Sequence, residues 1–193
     1  MTLREHLDDR PSRAAAFQDR FARQDQDIEA SKAWRRVGGR GQGVISRGAL
    51  GFRRGASNLL LSVQGRRFGA AQFIETRIGQ CVSGAGFVTL HLRESHTGGN
   101  FYRAFFRGDG SCGLDARING ANQHLATMRD LRLAPGDVLR FEAAEDNLRV
   151  LLNGALHYRR IDGRLDRGAV GVGAHDTQDA HGIALLWVAA GDL

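Results

Sequence analysis

Apolar and polar positions alternate along most of this chain, most regularly between Gly136 and Arg164. Leu139, Phe141 and Ala143 alternate with Val138, Arg140 and Glu142, the period of two that gives a strand an inner and an outer face. Glu145-Asp146-Asn147 predicts a polar turn, after which Leu148, Val150 and Leu152 alternate with Arg149, Leu151 and Asn153. Asn153-Gly154 suits the two positive-φ positions of a type I′ turn. Ala155 to Arg160 then returns with Leu156 and Tyr158 on one face. The stretch predicts a three-strand antiparallel meander.

From Trp34 onward the same pattern recurs. Strands are predicted at Trp34 to Val37, Gly43 to Ser46, Ala49 to Arg53, Asn58 to Val63, Gln72 to Ile78, Gly86 to Arg93, Tyr102 to Arg107, Leu114 to Ile118 and Gln123 to Met128. Two more, Ala169 to Ala174 and Ile183 to Ala189, follow the meander. Gly, Asn and Asp fill most of the gaps, as in Gly98-Gly99-Asn100 and Asn119-Gly120. Short strands so spaced predict an all-β antiparallel sandwich or jelly roll. Phe87, Thr89, His91 and Arg93 share one parity and Val88, Leu90 and Leu92 the other, so one set faces a core and the other water or a groove.

Residues 2 to about 30 break the pattern. Thr2 to Leu7 predicts a short helix that Pro11 interrupts, and the Ala-rich run Ala14 to Arg23 is able to resume it. The segment is either an arm that docks on a partner or a first edge strand wrapped on its own domain. The boundaries read as an N-terminal arm over 1–16, partly helical or extended, and a sandwich over 17–193.

A chain of 193 residues with 42% hydrophobic content suits one well-buried domain and is too apolar for disorder. No apolar run approaches the roughly 20 residues that span a bilayer. The first residues lack the apolar core of a secretory signal. No membrane insertion is expected, and the protein is either cytosolic or reaches its destination by assembly rather than secretion. The net charge is +6, and Lys32 is the only lysine among 27 basic residues. The arginines are scattered as singles and pairs without interleaved aromatics, so no nucleic acid is expected as partner. Attraction to acidic polymers, including cell-surface polysaccharide, fits the charge. Cys81 and Cys112 have no metal-site spacing and read as reduced thiols; a bridge needs their strands to be neighbours.

Candidate chemistry is sparse. Phe101 and Tyr102 flank the turn 97–100 and are the rings best placed for a sugar-stacking platform, whereas Trp34 and Trp187 read as core or edge cover. His175-Asp176-Thr177-Gln178-Asp179-Ala180-His181 gathers His175 and Asp176 as candidate ligand contacts, with Asp176 and Asp179 the oxygen donors that suit calcium. No cofactor is otherwise expected. Glu142, Glu145 and Asp146 are the nearest approach to a paired-carboxylate site. Glu142 and Asp146 share parity but lie about 13 Å apart along an extended chain, too far for a retaining glycosidase pair. Arg107-Gly108-Asp109 reads as a turn between strands. His91 stands on the outer or groove face of its strand.

Two places carry a family resemblance. Asp19-Arg20-Phe21-Ala22-Arg23 followed by Trp34 is similar to the D-x-F-x-R … W opening of bacterial and phage members of the concanavalin A-like lectin and glucanase superfamily. The run Leu151-Leu152-Asn153-Gly154, then Gly168 to Val172, then Ile183 to Val188 resembles the family's closing strands. The resemblance spans about 17–189 and implies a concanavalin A-like jelly roll. That fold carries enzymes, lectins and structural domains alike. The family's E-x-D-x-E or E-x-D-x-x-E catalytic pattern is absent, so no enzymatic activity is expected. Small members with a short N-terminal segment resemble minor tail and receptor-binding proteins of bacteriophages. This implies a multi-copy virion module, held to its assembly by residues 1–16, that binds a host polysaccharide or serves a purely structural role.

Overall fold

In a computed structural model, residues 15–84, 86–129, 131–178 and 182–193 are described. They form β1 (Phe17–Asp19), β2 (Gln26–Asp27), a 3-10 turn (Ile28–Ala30), β3 (Trp34–Arg40), β4 (Gly43–Ser46), β5 (Ala49–Phe52), β6 (Ser57–Val63), β7 (Gln72–Cys81) and β8 (Phe87–Glu94). After these come β9 (Phe101–Arg107), β10 (Cys112–Ile118), β11 (Ala121–Met128), β12 (Val138–Ala144), β13 (Asn147–Leu152), β14 (Ala155–Ile161), β15 (Ala169–His175) and β16 (Ile183–Asp192). The sequence pattern places every strand from β3 onward within a few residues of its observed bounds.

The strands build two antiparallel sheets. Sheet I has the order β14-β13-β12-β7-β16-β5-β4-β2, with β1 paired to β16; sheet II has the order β11-β10-β9-β8-β15-β6-β3. The predicted meander is β12-β13-β14 at one edge of sheet I. Asn153 and Gly154 both have positive φ, as its type I′ turn requires. Strand β14 is exposed on both faces, with Leu156 58% and Ile161 63% accessible.

The inner parity of each strand makes the core. Leu139, Phe141, Val150, Ile74, Ile78 and Val188 come from sheet I, and Leu59, Leu61, Val88, Leu90, Ala104, Leu114 and Val172 from sheet II. Each large apolar side chain among them is essentially inaccessible and contributes about 2 kcal/mol relative to exposure. Trp34 joins this core, whereas Trp187, 5% accessible, is buried on the other side of sheet I. No disulfide joins Cys81 to Cys112.

The start of the chain departs from expectation. Ala15 to Arg23 is not helical: Phe17, Gln18 and Asp19 pair with Ala190, Ala189 and Val188 of β16. Helix propensity is a weak prior, and an edge-strand pairing plus one carboxylate overrides it. The Asp19 carboxylate accepts the Phe21 N–H at 2.9 Å, which turns the chain into the positive-φ conformation of Phe21. It also accepts both terminal guanidinium nitrogens of Arg23 (2.6 and 2.8 Å) and the Trp34 indole N–H (2.8 Å). Burial opposes this charge, but the bonds from Arg23, Trp34 and Phe21 outweigh it and hold the carboxyl below its ordinary range. The D-x-F-x-R … W sequence is thus a staple from β1 of sheet I to β3 of sheet II. The Thr2–Leu7 helix and all but the last two residues of the 1–16 arm lie outside the described residues.

Asp19→Ala leaves the buried indole N–H and the Arg23 guanidinium without their acceptor. It is expected to cost about 2–4 kcal/mol, read as a lower urea midpoint. An unchanged midpoint would show that the staple contributes nothing.

Candidate functional site

The outward face of sheet II is ordered by register. Ser62, Gly171, His91, Arg103, Asp115 and His124 are successive partners across β6, β15, β8, β9, β10 and β11. The next row is Leu60, Gly173, Thr89, Phe105, Gly113 and Thr127. Beyond it, His175 pairs with Phe87 and Phe87 with Arg107. One face of one sheet thus carries a polar row and, beside it, a strip of rings.

Arg103 organises the polar row. Its Nε and Nη2 donate to Asp115 Oδ2 at 3.2 and 2.5 Å, and its Nη1 donates to Asn58 Oδ1 at 3.4 Å. The other oxygen of Asp115 lies 2.9 Å from His124 Nδ1, and His124 Nε2 lies 2.9 Å from Thr127 Oγ1. A guanidinium that gives two hydrogen bonds to one carboxylate is fixed in plane, so the row is held rigid. The ring strip runs His124, Phe105, Phe87, His175, with centroid separations of 6.4, 5.7 and 4.9 Å. Arg107 stacks 4.4 Å over the Phe87 ring. Phe105 lies across Gly113, where a Cβ would meet the Phe105 ring at 2.6 Å, so only glycine admits the ring there.

Next to the row is a patch of polar atoms with no protein partner: Ser62 Oγ, Thr89 Oγ1, both ring nitrogens of His91 and both carboxyl oxygens of Glu94. All four residues are at most 2% accessible. Gly171 and Gly173 make room for them, since a Cβ on Gly173 would stand 2.8 Å from Thr89 Oγ1 and 3.0 Å from the His91 ring. Burial, helped by the nearby Arg103 charge, pulls His91 down to about 3, so it is neutral. Burial pushes Glu94 up to about 8 against the pull of Arg35, so it holds its proton at neutral pH.

The predicted site residues divide. His175 belongs to the ring strip; its Nδ1 accepts the Asn58 N–H at 2.8 Å, and burial lowers its pKa. Asp176 is exposed at the end of this strip, 3.4 Å from His175 Nε2. Asp179, the second predicted calcium donor, lies outside the described residues, among which no three His, Cys, Asp or Glu come together as a metal site. Phe101 and Tyr102 do not form an exposed platform. Phe101 is on the outward face but 1% accessible, with Arg103 and Arg117 each 6.0 Å above its ring and His91 at 5.2 Å. Tyr102 points the opposite way into the core, where its hydroxyl donates to Asp162 and accepts the Leu165 N–H. Adjacent strand residues cannot share a face.

Glu142 lies on the outward face of sheet I, bound by Arg140 at 2.6 Å and Arg149 at 2.7 Å, while Asp146 sits in the turn before β13. Arg107-Gly108-Asp109 is a turn, closed by a Gly110 N–H bond to Arg107 O. Asn58, Arg103, Asp115 and His124 were not singled out from sequence. The legible signal for two of them is parity: Arg103 opposes Tyr102 and Ala104, and Asp115 opposes Leu114 and Ala116.

No protein-family model matches the chain, and no match to it was found among curated protein sequences. Solved structures share the fold. A carbohydrate binding module, CBM66, from Bacillus subtilis superposes with a TM-score of 0.64 at 17% identity, over 83% of this chain and 93% of that one. A prokaryotic β-1,3-1,4-glucanase (lichenase) from a mouse hindgut metagenome gives 0.64 at 15%, over 92% and 99%. A Bacillus subtilis protein of unknown function with a galectin-like fold gives 0.65 at 12%, over 93% and 96%. The fold is the all-β jelly-roll sandwich expected from sequence.

The buried pair His91 and Glu94 sets opposed pH dependences. Glu94 rises from its ordinary 4.5 to about 8, so the folded state holds a proton that the unfolded state has lost between those values. Its contribution to stability is complete below about pH 4.5 and is lost as pH rises through 8. His91 falls from 6.5 to about 3, so its contribution is complete above pH 6.5 and is lost on acidification toward 3. Denaturant unfolding of Glu94→Gln is expected to show a shallower decline of stability from about pH 5 to 9 than the parent chain. Equal slopes would mean that Glu94 is not held protonated.

Proposed function

We propose that this protein is a non-catalytic carbohydrate-binding module whose ligand lies across the outward face of sheet II. The observation that carries this reading is the juxtaposition of the rigid Asn58–Arg103–Asp115–His124 row with the ring strip His124–Phe105–Phe87–His175. Sugars offer hydroxyls that need fixed donors and acceptors, and apolar C–H faces that suit rings. Binding sites of this kind set a few placed polar groups in an otherwise apolar surface. The fold likeness to a carbohydrate binding module and a glucanase supports the ligand class.

The carboxylates favour binding over hydrolysis. Asp115 is engaged by Arg103 and His124, Glu142 by two arginines on the other sheet, and the buried Glu94 carboxyl has no accessible oxygen to meet a scissile bond. A glycosidase needs two carboxyls that flank that bond. Recognition rests on side chains of the sheet, so no calcium is required. The wider context belongs to the same proposal: a multi-copy virion module, anchored through residues 1–16 and gaining strength by avidity. That context rests on the sequence resemblance, and none of the three solved structures named above is described as a virion protein.

A panel of neutral glycans presented to the bead-coupled protein is expected to yield a saturable hit that survives chelator. His124→Ala, a change at a largely exposed side chain, should weaken that hit about tenfold without lowering the melting temperature. Saturable binding indifferent to both His124→Ala and Phe105→Ala would place the ligand elsewhere, and loss in chelator would redirect attention to the Asp176 loop.

A further inference from the structure

The outward face of sheet I contains a second feature, independent of the sheet II site. Val44, Gly51, Ala184 and Gln80 are register partners across β4, β5, β16 and β7, and Ser46 pairs with Ala49 beside them. The small side chains Ser46, Ala49, Gly51 and Ala184 on three adjacent strands leave a trough between Val44 and Gln80. Arg47 from the β4–β5 hairpin and Arg53 and Arg54 just after β5 rise around it, enclosing an open groove of about 750 Å³. That volume accommodates a few linked sugar rings.

The charge of the groove is one-sided. Arg53 and Arg54 are exposed and make no ion pair or side-chain hydrogen bond among the described residues. Neither Asp nor Glu is among the described residues that line it. Asp25 stands at the rim, where it accepts the Arg47 backbone N–H at 3.0 Å and the Ser46 hydroxyl at 2.8 Å, and its charge lies near that of Arg47. At the centre of this sheet the arginines are paired: Arg140 with Glu75 and Glu142, and Arg149 with Glu142. Two adjacent unpaired guanidinium forks over a floor that offers few side-chain hydrogen bonds suit carboxylate, sulfate or phosphate groups and contribute little to neutral sugars.

We propose that this groove binds a linear anionic polysaccharide, held by its acidic groups against Arg53 and Arg54. Single-stranded nucleic acid has the charge but also needs rings on which bases stack, and the one ring among the described residues that line the groove, Phe52, is 1% accessible. The site therefore recognises charge spacing along a chain, and its affinity falls with salt.

The full-length protein is titrated with heparin as a sulfated probe, polygalacturonate as a carboxylate probe, dextran as a neutral one and a thymidine oligonucleotide. The double variant Arg53→Ser/Arg54→Ser is compared with Arg66→Ser/Arg67→Ser, which also removes two of the exposed positive charges. The Arg66–Arg67 connector approaches the far end of β16, where Gly69 N–H donates to Asp192, about 26 Å along the strand from Ala184. The expected result is binding to at least one acidic polysaccharide and not to dextran, about tenfold weaker in the Arg53/Arg54 variant and near parental in the Arg66/Arg67 variant, with both variants melting like the parent. No binding to either acidic polysaccharide, or equal loss in the two variants, overturns the proposal. Oligonucleotide binding as tight as heparin and lost with Arg53 and Arg54 overturns the ligand class. Retained neutral-glycan binding in the Arg53/Arg54 variant separates this groove from the sheet II site.

Discussion

Leu90 and His91 are neighbours in sequence and lie on opposite sides of β8, one in the core and one on the outward face. This alternation is the constraint from which the rest of the structure follows. It holds through β9 and most of β8, so there the residues that bury the core also fix, by exclusion, which side chains line the other surface, while in β11 a register shift lets His124 face outward and Ala126 the core. A slip of one residue in β9 would send Arg103 and Phe105 into the core and Tyr102, Ala104 and Phe106 out of it. Core burial therefore stabilises the fold and sets the site in one step. Local devices then sharpen it. The Asp19 staple ties the two sheets at their edge, and Gly113, Gly171 and Gly173 let side chains of neighbouring strands lie flat where a Cβ would collide.

Much of the fold was legible because burial is written locally, in the period of two. The Asn153-Gly154 turn was legible for the same reason: two residues carry its whole conformational requirement. β1 was legible only as one of two alternatives, because the alanines just before it favour a helix while its actual partner, β16, lies some 170 residues away in the chain. The site was half legible. His175 was found as part of a polar loop, but its bond to Asn58 joins residues 117 apart in sequence. Arg103 and Asp115 are twelve residues apart and become partners only when β9 and β10 pair, so nothing at either position announces the ion pair. Phe101 and Tyr102 were grouped by proximity, although adjacent strand residues must face opposite ways; parity alone excluded their shared platform.

The two outward faces differ in how they manage charge. Along the polar row of sheet II the charges are already partnered, with Arg103 shared between Asp115 and Asn58, and the buried His91 and Glu94 are neutral. A neutral, hydroxyl-rich ligand loses little over that row, because its charges already have partners. On sheet I the centre is locked by Arg140 between Glu75 and Glu142, above the Phe73 ring at 3.7 Å, while the edge keeps two arginines unpaired. One jelly roll thus presents two surfaces of different chemistry, as expected when function is grafted onto a scaffold that does not itself dictate it.

The central claim is that a neutral glycan lies along the ring strip and polar row of sheet II, and imidazole resonances report on it directly. His124 and His175 stand in the strip, while His91 is sealed beneath it and His157 sits on the exposed edge strand β14 of the other sheet. Titration of a bound neutral glycan, followed by the nitrogen and carbon shifts of these four rings, is predicted to move His124 and His175 and leave His157 in place. Saturable binding that leaves both His124 and His175 unmoved would contradict the account.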